Sequence, residues 1–363
     1  MNLRRQPLLG IASALAIILI SLLFIAAFDW SLFRDWVSVY LMCAIPFTVV
    51  VGGMWHGQHP AAVARLRQPL KGLAYLVSAL VVAAIVMGFV VAVIGQGVTP
   101  PTPMAAQYVI ISVPIALGLV IAWGSWPFTL IKRPMLGGVT LLIAVYAIAA
   151  AVFYTLMNFD WLQGAPFYQP GLDPSGAFDS WTVLVYIVTT LAALFLILHF
   201  QLWPLTKRAA MMRQPLLGLT LTVISLAIAA IVTYLGIHVA GMTAPEYLTT
   251  VPVPFLFGSI VTLNILEGGH LGSLAQPLRG LVSAVFAAAL GLFLAWIYVA
   301  LAQYVTGDLA WGPPTFDGQI WLASALLAVT FPFLAFHADF FGLWPLRERT
   351  EAASAEPAPS ANG

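Results

Sequence analysis

Gln6-Pro7-Leu8-Leu9-Gly10 returns four more times with small changes, as Gln68-Pro69-Leu70-Lys71-Gly72, Arg133-Pro134-Met135-Leu136-Gly137, Gln214-Pro215-Leu216-Leu217-Gly218 and Gln276-Pro277-Leu278-Arg279-Gly280. Each copy stands just before a long apolar run, and each reads as the start of a helix. Proline at the first helical position gives up only an N–H that would be unpaired there, and its φ is already helical. The glycine three residues later admits a close neighbour. The copies are spaced by 62, 65, 81 and 62 residues, the mark of a tandem repeat.

What the phrase repeats is set by composition. The chain is 61% hydrophobic and 7% charged, with a mean hydropathy of +0.98, whereas about a quarter of the residues of a soluble domain are charged. Taking runs of about twenty apolar residues as membrane spans gives ten: Leu8–Phe28, Trp36–Trp55, Leu70–Ile94, Tyr108–Trp126, Met135–Asn158, Trp181–Leu202, Leu216–Val239, Val251–Glu267, Leu278–Gln303 and Ile320–Leu343. The expected fold is an all-α polytopic membrane protein whose ten transmembrane helices form five tandem helical hairpins. One transmembrane domain covers 1–349, in repeats of about 6–67, 68–132, 133–213, 214–275 and 276–349. The Ala, Ser, Pro and Glu stretch at 350–363 reads as a disordered cytoplasmic tail. Arg4-Arg5 and the first run resemble a secretory leader, but no small-residue cleavage site follows and the run is span-length.

Charge orients the bundle. Of the 14 Lys and Arg residues, all but Arg34 fall on the side that carries the phrase, a strong positive-inside bias. Both termini are expected in the cytoplasm, with the chain in the plasma membrane, the inner membrane of a bacterium. The opposite loops carry Asp29, Asp35, Asp160, Asp173, Asp179, Glu246, Asp308 and Asp317. The longest, 159–180, has aromatics at Trp161, Phe167, Tyr168 and Phe178, read first as interfacial anchors and second as a lid. A net charge of +1 with this sorting supplies no nucleic-acid surface. The expected partners are the lipid bilayer, a small solute or ion, and a protein partner within the membrane. The single Cys43 excludes an intramolecular disulfide and a cysteine-based metal site.

The two helices of each hairpin differ. The first, after the phrase, is almost wholly apolar. Four of the five second helices contain proline, at Pro46, Pro114, Pro252 with Pro254, and Pro332. Proline inside a span frees a carbonyl that neighbours or water must satisfy, so the second helices are the candidates for an inner ring. Their phrase-side ends also gather polar residues: Trp55-His56-Gly57-Gln58-His59-Pro60, Trp123-Gly124-Ser125-Trp126-Pro127, His199-Phe200-Gln201-Leu202-Trp203-Pro204, Glu267-Gly268-Gly269-His270, and His337-Ala338-Asp339 before Trp344-Pro345. Ionisable groups at membrane depth face the bundle interior or a water-filled cavity and are functional candidates by default.

Two chemistries fit those residues. His199, Gln201, Asn264, Glu267 and Asp339 are candidates for handling a solute or protons. His56, His59, Glu267, His270, His337 and Asp339 are candidate ligands of a transition metal, or of a haem with two axial imidazoles. The metal reading leans on His56/His59 and Glu267/His270, each three apart and so on one face if the backbone there is helical. The plainer reading makes them interfacial residues or interhelical hydrogen-bonding groups. Ten spans in five hairpins with proline in one helix of most pairs resembles the slow anion channel and tellurite-resistance permease family. That resemblance is one of architecture, and it implies kinked inner helices around a pore. Three functions are thus expected in order: a transporter or channel, a membrane-embedded metal- or haem-binding protein with oxidoreductase chemistry, and a non-catalytic membrane subunit.

Overall fold

The computed structural model describes residues 6–165, 168–266, 274–313 and 315–346. Ten helices are long and apolar enough to cross a membrane: α1 Leu8–Ile25, α2 Trp30–Met54, α3 Leu70–Ile94, α4 Pro103–Ile121, α5 Pro134–Leu156, α6 Ser180–His199, α7 Leu216–Val239, α8 Ala244–Ile265, α9 Leu278–Val305 and α10 Asp317–Phe340. The chain is an integral membrane protein of the helical class. Four of the even-numbered helices begin several residues before the apolar runs do, and capped polar turns start two of them, α4 and α8. Thr102 Oγ1 accepts from the Ala105 N–H, and Thr243 with Glu246 forms a capping box.

Inner and outer helices alternate along the chain. The even-numbered helices touch one another in cyclic order, α2 to α4, α6, α8, α10 and back to α2, making a closed five-membered ring. Each odd-numbered helix lies outside this ring and packs most extensively on the even helix that precedes it in the chain, α3 on α2, α5 on α4, α7 on α6 and α9 on α8; α1 completes the circle on α10. Burial follows: the window of α8 is 72% buried and that of α7 is 22%. Leu15, Val77, Val223 and Val285, each nine residues after its phrase glutamine, occupy matching places on four of the outer helices, and all are exposed, as lipid-facing residues should be.

The repeated phrase is what fastens an outer helix to the ring. In four copies the glutamine side chain works at both ends. Its Oε1 accepts from the backbone N–H of Gly10, Gly72, Gly218 or Gly280, satisfying one of the orphan donors of a helix start. Its Nε2 donates to a carbonyl at or just past the end of an inner helix: Gln6 to Ile265 at 2.9 Å, Gln68 to Phe340 at 2.7 Å, Gln214 to Ala122 at 3.0 Å and Gln276 to His199 at 3.5 Å. The phrase glycines lie against the same inner-helix ends, under Leu266, Phe341, Trp123 and Phe200 respectively. The third copy has Arg133 instead. There the Trp55 indole N–H donates to the Pro134 carbonyl at 2.9 Å, and its ring covers Gly138. Only Pro134 sits inside the first turn; Pro7, Pro69, Pro215 and Pro277 stand one place earlier, where their carbonyls open the helical ladder.

Candidate functional site

The inner helices all point their C-terminal ends toward the face where the phrases lie, so the ring has a phrase-side half and an opposite half. Two cavities lie on its axis. The one in the opposite half, about 130 Å³, is walled by all five inner helices, among them Met42, Val113, Leu184, Leu256 and Leu327; Thr249, Gln319 and Ser324 are its polar side chains. The one in the phrase-side half, about 270 Å³, is walled by α2, α4, α8 and α10 and includes Thr48, Asn264 and Asp339. Ile45, Leu117, Ile260 and Phe331 line both. These four apolar side chains, one from each of four inner helices, form the partition between the two spaces.

Backbone irregularity places the polar residues. In α2, α8 and α10 the last turn before the phrase face is wide, with i→i+5 hydrogen bonding over Val50–Met54, Val261–Ile265 and Phe336–Phe340. These turns lie past Pro46, Pro254 and Pro332, and another wide turn, Ser324–Thr330, precedes Pro332. Wide turns rotate the side chains that follow them relative to a regular helix and recur at functional sites. In consequence Asn264 and Asp339, both within wide turns, are exposed to the phrase-side cavity. The Asp339 carboxylate lies over Gly52; a Cβ at Gly52 would sit 2.6 Å from Oδ2. Gly52 leaves the space that the carboxylate fills.

The histidines do not gather there. His199 is buried at the end of α6, where Nδ1 is 2.7 Å from the Ser283 hydroxyl and Nε2 is 3.0 Å from that of Ser259. A neutral imidazole donates with one nitrogen and accepts with the other, so it ties α6 to α8 and α9 with no group left unpaired. His337, on the same wide turn as Asp339, is 3.3 Å from the Ser13 hydroxyl of α1 and so turns toward the outer helix. His56 and His59 do not share a helical face. The helix ends at Met54, and His56 and Gly57 both have positive φ, 47° and 65°. His56 is exposed, and the His59 carbonyl accepts from the Tyr75 hydroxyl. Gln201 is exposed in the turn after α6, also at positive φ. Glu267 and His270 lie outside the described residues. Among the described residues no three His, Cys, Asp or Glu side chains stand close enough together to hold a metal ion.

The described part of the long loop is folded, and Phe167 lies outside the described residues. Asp173 accepts from the Phe159 and Ser175 N–H groups and from the Tyr168 hydroxyl, and the Trp161 indole donates to Ser180. Trp161 packs on Trp181, which lines the cavity in the opposite half.

Sequence reasoning missed Ser13, Ser259 and Ser283, and it missed the partition. Ser13 and Ser283 do carry a signal, since each lies seven residues after its phrase glutamine. Ile45, Leu117, Ile260 and Phe331 carry none, being indistinguishable from core residues. Comparison with family models, curated proteins and solved structures found nothing that matches this chain.

Proposed function

We propose that the chain forms an axial pathway across the membrane for a small solute or ion, closed at rest by the ring of Ile45, Leu117, Ile260 and Phe331. The observation that carries this reading is the pair of cavities within one ring of helices that share four apolar lining residues, Ile45, Leu117, Ile260 and Phe331. An apolar constriction of this kind stops ions and polar solutes by excluding water. The all-parallel inner ring belongs with a pore rather than with the inverted repeats of many secondary transporters. The sorting of Lys and Arg orients the phrase face toward the cytoplasm, which makes the cavity holding Asp339 the inner vestibule and the folded loop 159–180 part of the outer mouth.

The test is osmotic. Purified protein in liposomes is shocked separately with glycerol, with KCl and with potassium thiocyanate, whose lipid-permeable anion lets a cation-selective pathway carry net salt, and shrinkage and recovery are followed by light scattering. Phe331→Ala and Leu117→Ser, which widen or wet the constriction, are expected to speed recovery in at least one solute by roughly tenfold over wild type. Recovery no faster than that of empty liposomes for wild type and both folded variants overturns the reading.

A further inference from the structure

Resting on the conduction reading, we propose that Asp339 makes the pathway select monovalent cations over anions. Among the described residues, Asp339 is the charged residue that lines either axial cavity. No Lys, Arg or His stands against it among the described residues; the walls that face it are Thr48, Gly52 and Gly53 of α2, Val120 of α4 and Asn264 of α8. The Thr48 hydroxyl is already committed to the Ala44 carbonyl of its own helix. His337, two residues away, is turned to Ser13, and Arg34 is held at the far end of the bundle by Asp35 and Asp317. The carboxylate therefore has no counter-charge among the described residues.

An unpaired carboxylate between low-dielectric walls focuses its field into the cavity and concentrates counter-ions there. Selectivity by acidic side chains at a pore mouth works in this way. Gly52 contributes by keeping the space that a larger residue would deny to the carboxylate. Asn264 provides an amide on another wall of the same cavity, able to coordinate a partly dehydrated cation through its carbonyl oxygen. The apolar outer half adds no charge of either sign.

The test is a reversal potential in planar bilayers under a tenfold KCl gradient, with Phe331→Ala as the background that opens the constriction. A potential close to that of K⁺ is expected, with Asp339→Asn moving it toward zero or toward that of Cl⁻, a loss of roughly tenfold in the cation-to-anion permeability ratio. The double change Asp339→Asn with Asn264→Asp, which moves the carboxylate to another wall of the same vestibule, is expected to restore the cation preference. A merely structural role for Asp339 would not be rescued that way. A current in the Phe331→Ala background that reverses at zero or near the Cl⁻ potential overturns the inference without needing any change at Asp339. So does a folded Asp339→Asn protein with unchanged selectivity. Absence of current in the Phe331→Ala protein overturns the selectivity, and only together with absent glycerol and salt recovery in liposomes does it overturn the conduction reading.

Discussion

His199 and Asp339 show how differently two ionisable residues at the ends of inner helices are used. His199 has both nitrogens matched to serine hydroxyls and is closed off from the axis, so its contribution is to hold three helices together. Interhelical hydrogen bonds in membranes contribute about 0.6 to 2 kcal/mol each. His199→Ala is therefore expected to cost about 1 to 4 kcal/mol, read as a lower unfolding temperature in detergent, with the ion preference of the open Phe331→Ala background unchanged. Asp339→Asn is expected to do the reverse, changing ion preference at little cost to thermal stability. Both residues were visible in the sequence as candidates. Which was paired and which was not depended on Ser259, Ser283 and Gly52, residues that lie far away in the chain.

At the scale of elements, the repeated phrase and the inner-helix ends behave as complementary halves of one joint. Gln68→Glu keeps the acceptor for the Gly72 N–H but loses the donor to Phe340; Gln68→Leu loses both. Thermal melts should rank wild type above Gln68→Glu and Gln68→Leu, with each lost bond worth about 1 kcal/mol. Elsewhere the helices meet backbone to backbone. A Cβ at Gly258 would overlap the Ala287 carbonyl oxygen of α9, and one at Gly291 would overlap the Pro254 carbonyl of α8. Gly258→Leu and Gly291→Leu are each expected to separate α8 from α9, with loss of monodisperse protein on size-exclusion chromatography. Gly118, which has nothing within 4 Å of a Cβ, should accept alanine with no such loss. The sequence marked the phrase glycines through their repeat, but Gly258 and Gly291 looked like any glycine of a span.

At the scale of the whole molecule, the ring closes where its first and last members, α2 and α10, come together. The polar link at this seam is Trp30 to Asp317 at 3.1 Å with Arg34 beside both, its guanidinium 3.6 Å from Asp317. Arg34 is substantially exposed, and exposed ion pairs contribute about 0 to 1 kcal/mol. Asp317→Asn is accordingly expected to lower the unfolding temperature only slightly, because the seam is held by the packing of buried residues such as Ala44, Ala325 and Val329. Removing α1, by contrast, strips the outer cover from α10 and the tie from Gln6 to Ile265.

Much of this protein was legible from residue order alone, since the relevant physics is local and additive. Twenty apolar residues in a row are a span wherever the rest of the chain goes, and a proline with a glycine three places on, set before such a run, reads as a helix start. The ten spans, the repeat and the proline-bearing second helices follow from that. The order of the ring does not. An outer helix packs on the inner helix of the preceding repeat while its phrase reaches the inner helix one further round the ring, as α3 packs on α2 and Gln68 bonds to Phe340 of α10, 272 residues away. The metal ligands proposed from i, i+3 spacing needed helical backbone at His56 to His59, and the positive φ of His56 and Gly57 ends the helix there. The apolar partition and the vestibule carboxylate of Asp339 emerged only once five separate helices were set around one axis, since a side chain's exposure to a shared space depends on all the helices around it.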